Sequence, residues 1–304
     1  MARESRCIKV PKKEGEKTRR LLAEENLLDN SLKPLSDEDF LYFPVTCEIP
    51  GAVTGIFEER EESLPLPRHE LIGGIAVMQE CDREEAQRLL DSRPVIHTVL
   101  YSEGPVTGEF RTKEYIVLAG EATTKTDYIE YGQRFVIDLS AAYFSARLAN
   151  ERQRIVSMMK PGERLLDMFA GVGPFAITLS GNASVVYAND INPSAASLLA
   201  DNIRLNKKEN IIPVLGDARH LGGVFPPGYF DRIIMNLPMK SPEFLEVAFR
   251  LCRPGGMIHF YTLQSGQGEM DEFIKKFACL KISEKIVRSY SPSQHHAVYD
   301  IKMT

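Results

Sequence analysis

The clearest hydrophobic pattern lies in the last half of the chain. From Arg164 onward, apolar runs of strand length alternate with segments of helical periodicity: "RLLDMFA", "PFAITLS", "SVVYAND", "PSAASLLADNIRLN", "IIPVLGD", "FDRIIMNLP", "SPEFLEVAFRLC", "GMIHFYTL" and "EMDEFIKKFAC". This rhythm predicts a doubly wound, mostly parallel sheet with helices on both faces. The last two runs, "EKIVRSYS" and "AVYDIKM", have no helix pattern between them and predict an antiparallel hairpin at the sheet edge. Upstream, "GGIAVMQ", "VIHTVLYS", "KEYIVLAG" and "RFVIDLSAAYFS" read as strands, and "CDREEAQRLLDS" as a helix opened by Asp82. Residues 1 to about 60 hold one predicted helix, "GEKTRRLLAEENLL", and one short strand, "FLYFPV". The stretch "EEREESLPLPRHE", with two prolines and clustered charge, reads as a linker. The expected organisation is a small N-terminal domain and linker over 1–62, a middle α+β domain over 63–150, and an α/β Rossmann-like domain over 151–304.

Composition changes little in that picture. The 304 residues are 43% hydrophobic and 26% charged, and no apolar run approaches the ~20 residues a bilayer span needs. The charged N-terminus is unlike a secretory leader, so the expected compartment is the cytoplasm. The five cysteines (Cys7, Cys47, Cys81, Cys252, Cys279) form no C-x-x-C pair and read as reduced, buried thiols. His295 and His296 are adjacent and, in a strand, point to opposite faces, so no metal site is expected. Charge is informative only locally. The net charge is -5, yet the first 20 residues hold eight Lys/Arg against three Glu. They read either as a basic arm suited to phosphate contacts or as a solvated surface segment.

Candidate chemistry concentrates at strand ends. Asp167 closes the first run and is followed by the turn "MFAGVGPF", where Gly171 and Gly173 allow a ligand close to the backbone. Asp190 closes the second run, 23 residues on, where a carboxylate suits a pair of ribose hydroxyls. Asp217 follows the third, placed to accept from an adenine amino group. Three acidic strand ends in this order are the pattern of class I S-adenosylmethionine-dependent methyltransferases, and no metal is required by such chemistry. The fourth run ends in Asn236-Leu237-Pro238, which reads as a strand-ending turn that presents an amide to the same site.

On "DMFAGVGPF", "DINPSA", "IIMNLPMK", "GEFRTKEYIVLAGE", "AYFSARLANER" and the opening "CIKVPKKEGEKTRRLLAEENLL", the chain resembles the archaeal form of the tRNA (guanine-37, N1)-methyltransferase family over nearly its whole length. The resemblance implies methyl transfer from S-adenosylmethionine to N1 of the guanosine 3′ of the anticodon. It implies tRNA as partner, bound at the anticodon stem-loop and, through the N-terminal domain, elsewhere. The family's site residues fall on Arg111, Tyr143, Glu151, Asn236 and Pro238. Its cofactor contacts fall on Arg152, Phe169, Asp190, Ile191, Asp217 and Asn236, and Ala218, next to Asp217, is a further cofactor-binding candidate. Departures are the short segment before Arg111 ("YSEGPVT"), an abbreviated linker, and Ala146 where the family carries proline. A monomer without an obligate protein partner is expected, because separate domains then reach separate parts of one tRNA.

The chemistry gives these residue types a reason. N1 of guanine carries a proton, so methylation needs a base and a donor for the charge growing on O6. Glu151, in a site shielded from water, is suited to the first role and Arg111 to the second. Tyr143 is suited to stacking on the base, which must leave its stack to be reached. Standing alone, Arg111 beside Glu109 reads equally as a surface ion pair, and Tyr143 as a half-buried strand tyrosine. Competing readings are a wyosine-pathway enzyme acting on a tricyclic guanine at the same position, an aminocarboxypropyl transferase, an exocyclic-amine methyltransferase, and a catalytically silent tRNA-binding protein. "NLPMK" weighs against the transferase, and Met239, where exocyclic-amine enzymes carry a stacking aromatic, weighs against the third.

Overall fold

The computed structural model describes all residues except 1, 61–64, 105–107, 109, 278 and 292. The chain divides into two compact units, Met1–Pro65 and Leu66–Thr304. In the first, a four-stranded sheet runs in the order Leu35–Ser36, Phe40–Pro44, Ala2–Pro11, Val53–Glu58. Within the basic N-terminal segment, Ala2–Pro11 is a strand whose first half pairs with Val53–Glu58 and whose second half pairs with Phe40–Pro44, while Arg3, Glu4, Arg6 and Lys9 stay exposed. Its alternation turns Cys7 inward against Leu32 and Phe57, while Lys9 lies over the Phe40 ring at 4.1 Å. The helix Gly15–Glu24 stops short of its expected end where Asn26 turns left-handed (φ 56°).

In the second unit, the strands His69–Ile72, Ile75–Met78, Thr98–Ser102 and Tyr115–Gly120 form a sheet in chain order. Asp82 caps the helix Arg83–Ser92 through the backbone N–H groups of Glu84 and Glu85. A hairpin, Lys125–Glu130 with Gln133–Asp138, follows. Asn202 and Asn206, at the end of the helix Pro193–Leu205, hydrogen-bond the backbone of Val136 and Arg134 respectively.

The large sheet is built from β1 (Glu163–Asp167), β2 (Ala183–Asp190), β3 (Ile211–Leu215), β4 (Phe230–Met235), β5 (Cys252–Gln264), β6 (Cys279–Ser291) and β7 (Gln294–Met303). Their spatial order is 3-2-1-4-5-7-6, with β1 to β5 parallel and β7 antiparallel to both its neighbours. This is a Rossmann-like methyltransferase sheet. The last two strands form the expected antiparallel edge hairpin, with β7 paired to β5 and β6 outermost, and every residue of β7 from His296 to Ile301 is buried. The segment expected to be a helix at "EMDEFIKKFAC" forms only the single turn Asp271–Ile274. Of the cysteines, Cys7 and Cys252 are buried but Cys47 and Cys81 are exposed, correcting the expectation of uniformly buried thiols. Among the described residues no helix is long and apolar enough to cross a membrane.

Candidate active site

Connections run one way along the sheet from β1 through β3 and the other way from β4 onward, so β1 and β4 border the point where open α/β sheets bind ligands. A cavity of about 190 Å³ opens there, with Phe169, Gly171, Asp190, Ile191, Asp217, Ala218 and Asn236 in its wall. The turn after β1 has the shape its glycines predict. Gly171 (φ 55°) and Gly173 (φ 95°) are both left-handed, and a Cβ on Gly173 would stand 2.5 Å from Cδ1 of Leu199. Pro174 then starts the helix Pro174–Leu179 at its first position.

The strand-end acids differ in what they face. Asp190 Oδ2 accepts from the Gly171 N–H at 2.7 Å and Oδ1 from the Asn192 N–H at 2.9 Å. Burial raises its pKa, and those amides oppose the shift. Asp167 is buried behind the wall rather than in it; burial pushes its carboxyl up to about 7, opposed by the backbone N–H groups of Phe169 and Ala176. Asp217 is held by Arg219, whose Nε donates at 2.8 Å and whose guanidinium keeps the carboxyl below its ordinary range. The turn after β4 is fixed by buried Ser241, whose hydroxyl donates to Met235 O at 3.1 Å while Leu237 N–H donates to it at 3.3 Å. Asn236 Oδ1 is buried in the cavity wall without a hydrogen-bond partner.

A second cavity, about 590 Å³, shares Arg111, Tyr143, Phe144 and Ser145 with the first and adds Lys113, Arg147 and Arg288 as cations. Arg111 is left-handed (φ 54°) and lies over the Tyr143 ring at 5.2 Å. Pro238 and the 56% exposed Met239 line this second cavity. The anticipated alternative partner of Arg111, Glu109, lies outside the described residues.

Glu151 lies in neither cavity wall. Its carboxylate accepts from Arg154 Nε (2.8 Å), Arg154 Nη2 (2.7 Å) and the Tyr261 hydroxyl (2.7 Å). Arg154 continues to Asp300 at 2.7 Å, which accepts from His259 Nδ1 at 2.6 Å and from the Ser283 hydroxyl at 2.6 Å. His259 in turn meets Arg232, and Arg232 donates to Glu163 at 2.6 Å. Burial favours a protonated Asp300, but its bonds to His259, Arg154 and Ser283 win and hold it far below the carboxylate range. Burial lowers the pKa of His259, which fits a neutral ring donating to Asp300 and accepting from Arg232. One residue along from Glu151, the fully buried Arg152 reaches the first cavity and is paired by Glu130 at 2.7 and 2.5 Å.

Residues 126–287 match the TRM5/TYW2 methyltransferase domain, and residues 7–53 match the tRNA methyltransferase 5 N-terminal domain. The chain belongs to the TRM5/TYW2 methyltransferase family. One relative in the family, the tRNA (guanine(37)-N(1))-methyltransferase Trm5b of Pyrococcus abyssi, is 34% identical over 98% of this chain and 99% of its own length. The crystal structure of that relative is 33% identical and matches with a TM-score of 0.79, again over 98% of this chain and 99% of the other. A complex of aTrm5 with tRNALeu, 32% identical, matches with a TM-score of 0.76 over 98% of this chain and 100% of the other. On the wyosine side of the family, a tRNA(Phe) (4-demethylwyosine(37)-C(7)) aminocarboxypropyltransferase of Methanocaldococcus jannaschii is 31% identical over 77% of this chain and 97% of its own.

Against this TRM5/TYW2 background, the fold brings together most of the residues singled out in the sequence. Phe169, Gly171, Asp190, Ile191, Asp217, Ala218, Asn236, Arg152, Arg111 and Tyr143 share the first cavity, while Pro238 lines the second and Gly173, Asp167 and Glu151 line neither. Sequence reading missed Lys240, Glu243 and Phe244, which close the first cavity beyond the Asn236 turn. It also missed Glu130, Arg154 and Tyr261. A buried carboxylate held ionised calls for a cationic partner, but nothing in the chain order indicates which one.

Proposed function

We propose that the protein transfers a methyl group from S-adenosylmethionine to N1 of guanosine 37 in tRNA, next to the anticodon. The observation that carries this reading is the wall shared by two cavities: Arg111 and Tyr143 face both the strand-end pocket and a larger, cation-lined one. A cofactor and a base extruded from an RNA loop thereby meet across one arginine and one aromatic ring. The relatives' named activity and the tRNA-bound neighbour support the same reading.

The first cavity fits the cofactor. Asp190 is pre-set by two backbone amides to offer its remaining lone pairs to ribose hydroxyls. Phe169, Ile191, Ala218 and Phe244 supply apolar walls for an adenine ring, and the unpartnered Oδ1 of Asn236 awaits a donor. Asp217 contributes to an adenine amino group only by sharing its carboxylate with Arg219. When bound, S-adenosylmethionine supplies an electrophilic methyl group. Arg111 then donates to guanine O6 and stabilises the charge that grows there as N1 loses its proton. Tyr143 stacks on or orients the base. Pro238 stiffens the turn that presents Asn236, its carbonyl accepting from Leu263 N–H at 3.0 Å. Glu151 takes the N1 proton. Three of its roughly four acceptor positions are filled by Arg154 and Tyr261, leaving one on Oε2. Its carboxylate reaches the base only if the start of the helix Ala149–Met158 shifts or the Arg154 pair opens on tRNA binding.

The N-terminal unit makes a second tRNA contact through its basic strand, and a monomer in the cytoplasm is the working state. The volume of the second cavity favours one further reading, a tricyclic guanine accepted at the same position. Both are tested with labelled cofactor and unmodified transcripts carrying G or A at position 37, followed by mapping of the product nucleoside. The expected product is 1-methylguanosine from the G transcript alone. Equal labelling of both transcripts overturns the proposal.

A further inference from the structure

The second cavity holds a side chain for which the chemistry above has no use. His296 sits on β7, in register with Leu263 of β5 on one side and Arg288 of β6 on the other. It is 2% exposed and lines the cavity, yet neither Nδ1 nor Nε2 has a hydrogen-bond partner. Buried polar atoms are almost always paired, and leaving a whole imidazole unpaired forfeits its hydration with no return. The Tyr261 ring backs it at 5.6 Å, the same tyrosine whose hydroxyl holds Glu151. The imidazole thus lines the pocket that the substrate base would enter, with both ring nitrogens covered and unpartnered.

Its neighbours decide what kind of group it is. Arg288 lines the same cavity and donates to the Tyr143 hydroxyl at 3.4 Å, while Arg111 covers the ring of that tyrosine. Burial first, then the charges of Arg288 and Arg111, push the imidazole down to about 4. Near neutral pH it is therefore an uncharged ring with one donor and one acceptor nitrogen, beside guanidiniums that can only donate. Guanine needs this combination. It offers an acceptor at O6 and donors at N1 and the 2-amino group, whereas adenine carries its amino group at position 6 and none at position 2.

We propose that His296 is a specificity-determining residue that accepts a hydrogen bond from the 2-amino group of the target guanine. The proposal rests on the guanine-methylating reading and names the atom that reading leaves unread. Transcripts with guanosine or inosine at position 37 test it, since inosine keeps O6 and the N1 proton but lacks the 2-amino group. Wild-type kcat/KM should favour guanosine over inosine by about 10- to 100-fold. His296→Ala should bring that ratio close to one, and His296→Gln, which keeps an acceptor, should restore part of it. Thermal melting and cofactor binding of each variant report whether the fold survives. A wild-type ratio near one overturns the proposal whether or not the variants fold. An unchanged ratio in folded His296→Ala does the same and leaves the imidazole a packing group. Labelling of neither transcript by the wild type would overturn the parent reading, and this one with it.

Discussion

The two halves of the large sheet arrange their polar groups in opposite ways. In the β3-β2-β1-β4 half those that line the first cavity stand at strand ends or in the turns that follow, tied to nearby backbone amides as Asp190 is to Gly171 and Asn192. In the β5-β7-β6 half they project from the strands themselves. There Tyr261, His259 and Asp300 are knitted to Arg154, Glu151, Arg232 and Glu163 by charge and hydrogen bonds. The first arrangement needs only local chain geometry and suits a cofactor of fixed shape. The second places charges in the interior, where each is tolerable only with its partner present. It buys placement of the group that must meet the substrate.

That contrast can be broken experimentally. The largest effect is expected at its substrate end. Glu151→Ala should lower the single-turnover methylation rate by about 10²–10⁴-fold, the range for loss of a general base, with cofactor affinity nearly unchanged. A normal rate would remove Glu151 from the chemistry and leave it a structural member of the network. Next, Arg154→Leu strips both Glu151 and Asp300 of their shared cation. The side chains of those acids are 10% and 1% exposed, so a loss of about 3–5 kcal/mol in urea unfolding is expected. A loss below about 1 kcal/mol would mean the network behaves like a surface ion pair.

On the cofactor side, Gly173→Ala adds a methyl group 2.5 Å from Leu199 at a left-handed position. It should cost about 1–3 kcal/mol of stability and weaken cofactor binding more than tRNA binding. Wild-type melting with intact cofactor affinity would show that the turn is more forgiving than its geometry suggests. The last effect is a pH slope. Asp167 has a raised pKa in the folded protein, so the folded form binds the proton more tightly than the unfolded chain. Its contribution is present below the ordinary carboxylate pKa and lost as pH rises through about 7. Asp167→Asn should flatten the fall in melting temperature between about pH 4 and 7. An unchanged slope would assign that fall to other groups.

The same contrast explains what could be read from the chain. Asp167, Asp190, Asp217 and Asn236 each follow an apolar run directly, so pattern and chemistry coincide within a few residues. Asp82 was legible as a helix cap for the same reason. Glu151 was found through its motif, but its partners stand 3, 110 and, through Arg154, 149 residues along the chain (at Arg154, Tyr261 and Asp300), and no local signal links them. The strand Lys125–Glu130 escaped notice because its inward face carries Thr126 and Glu130 while Ile129 points out, and with it went Glu130, the partner of Arg152. The strand Ala2–Pro11 was hidden by its charge, which the strand accommodates by leaving Arg3, Glu4, Arg6 and Lys9 exposed. The position of β7 between β5 and β6 depends on pairing energies between strands that no single run displays.

One detail of the helix Pro193–Leu205 has a wider consequence. Asn202 and Asn206 are four residues apart, about 6 Å along a helix axis. Arg134 and Val136 are two apart, about 6.8 Å along a strand. The two repeats nearly coincide, so each carboxamide exchanges a donor and an acceptor with one residue of the strand, as a neighbouring strand would. A helix here serves as a counterfeit strand. It seals the outer rim of the Lys125–Asp138 ribbon against a passing chain seeking backbone to pair with. An aspartate at either position would keep the acceptor and lose the donor, and that rim would open by one carbonyl.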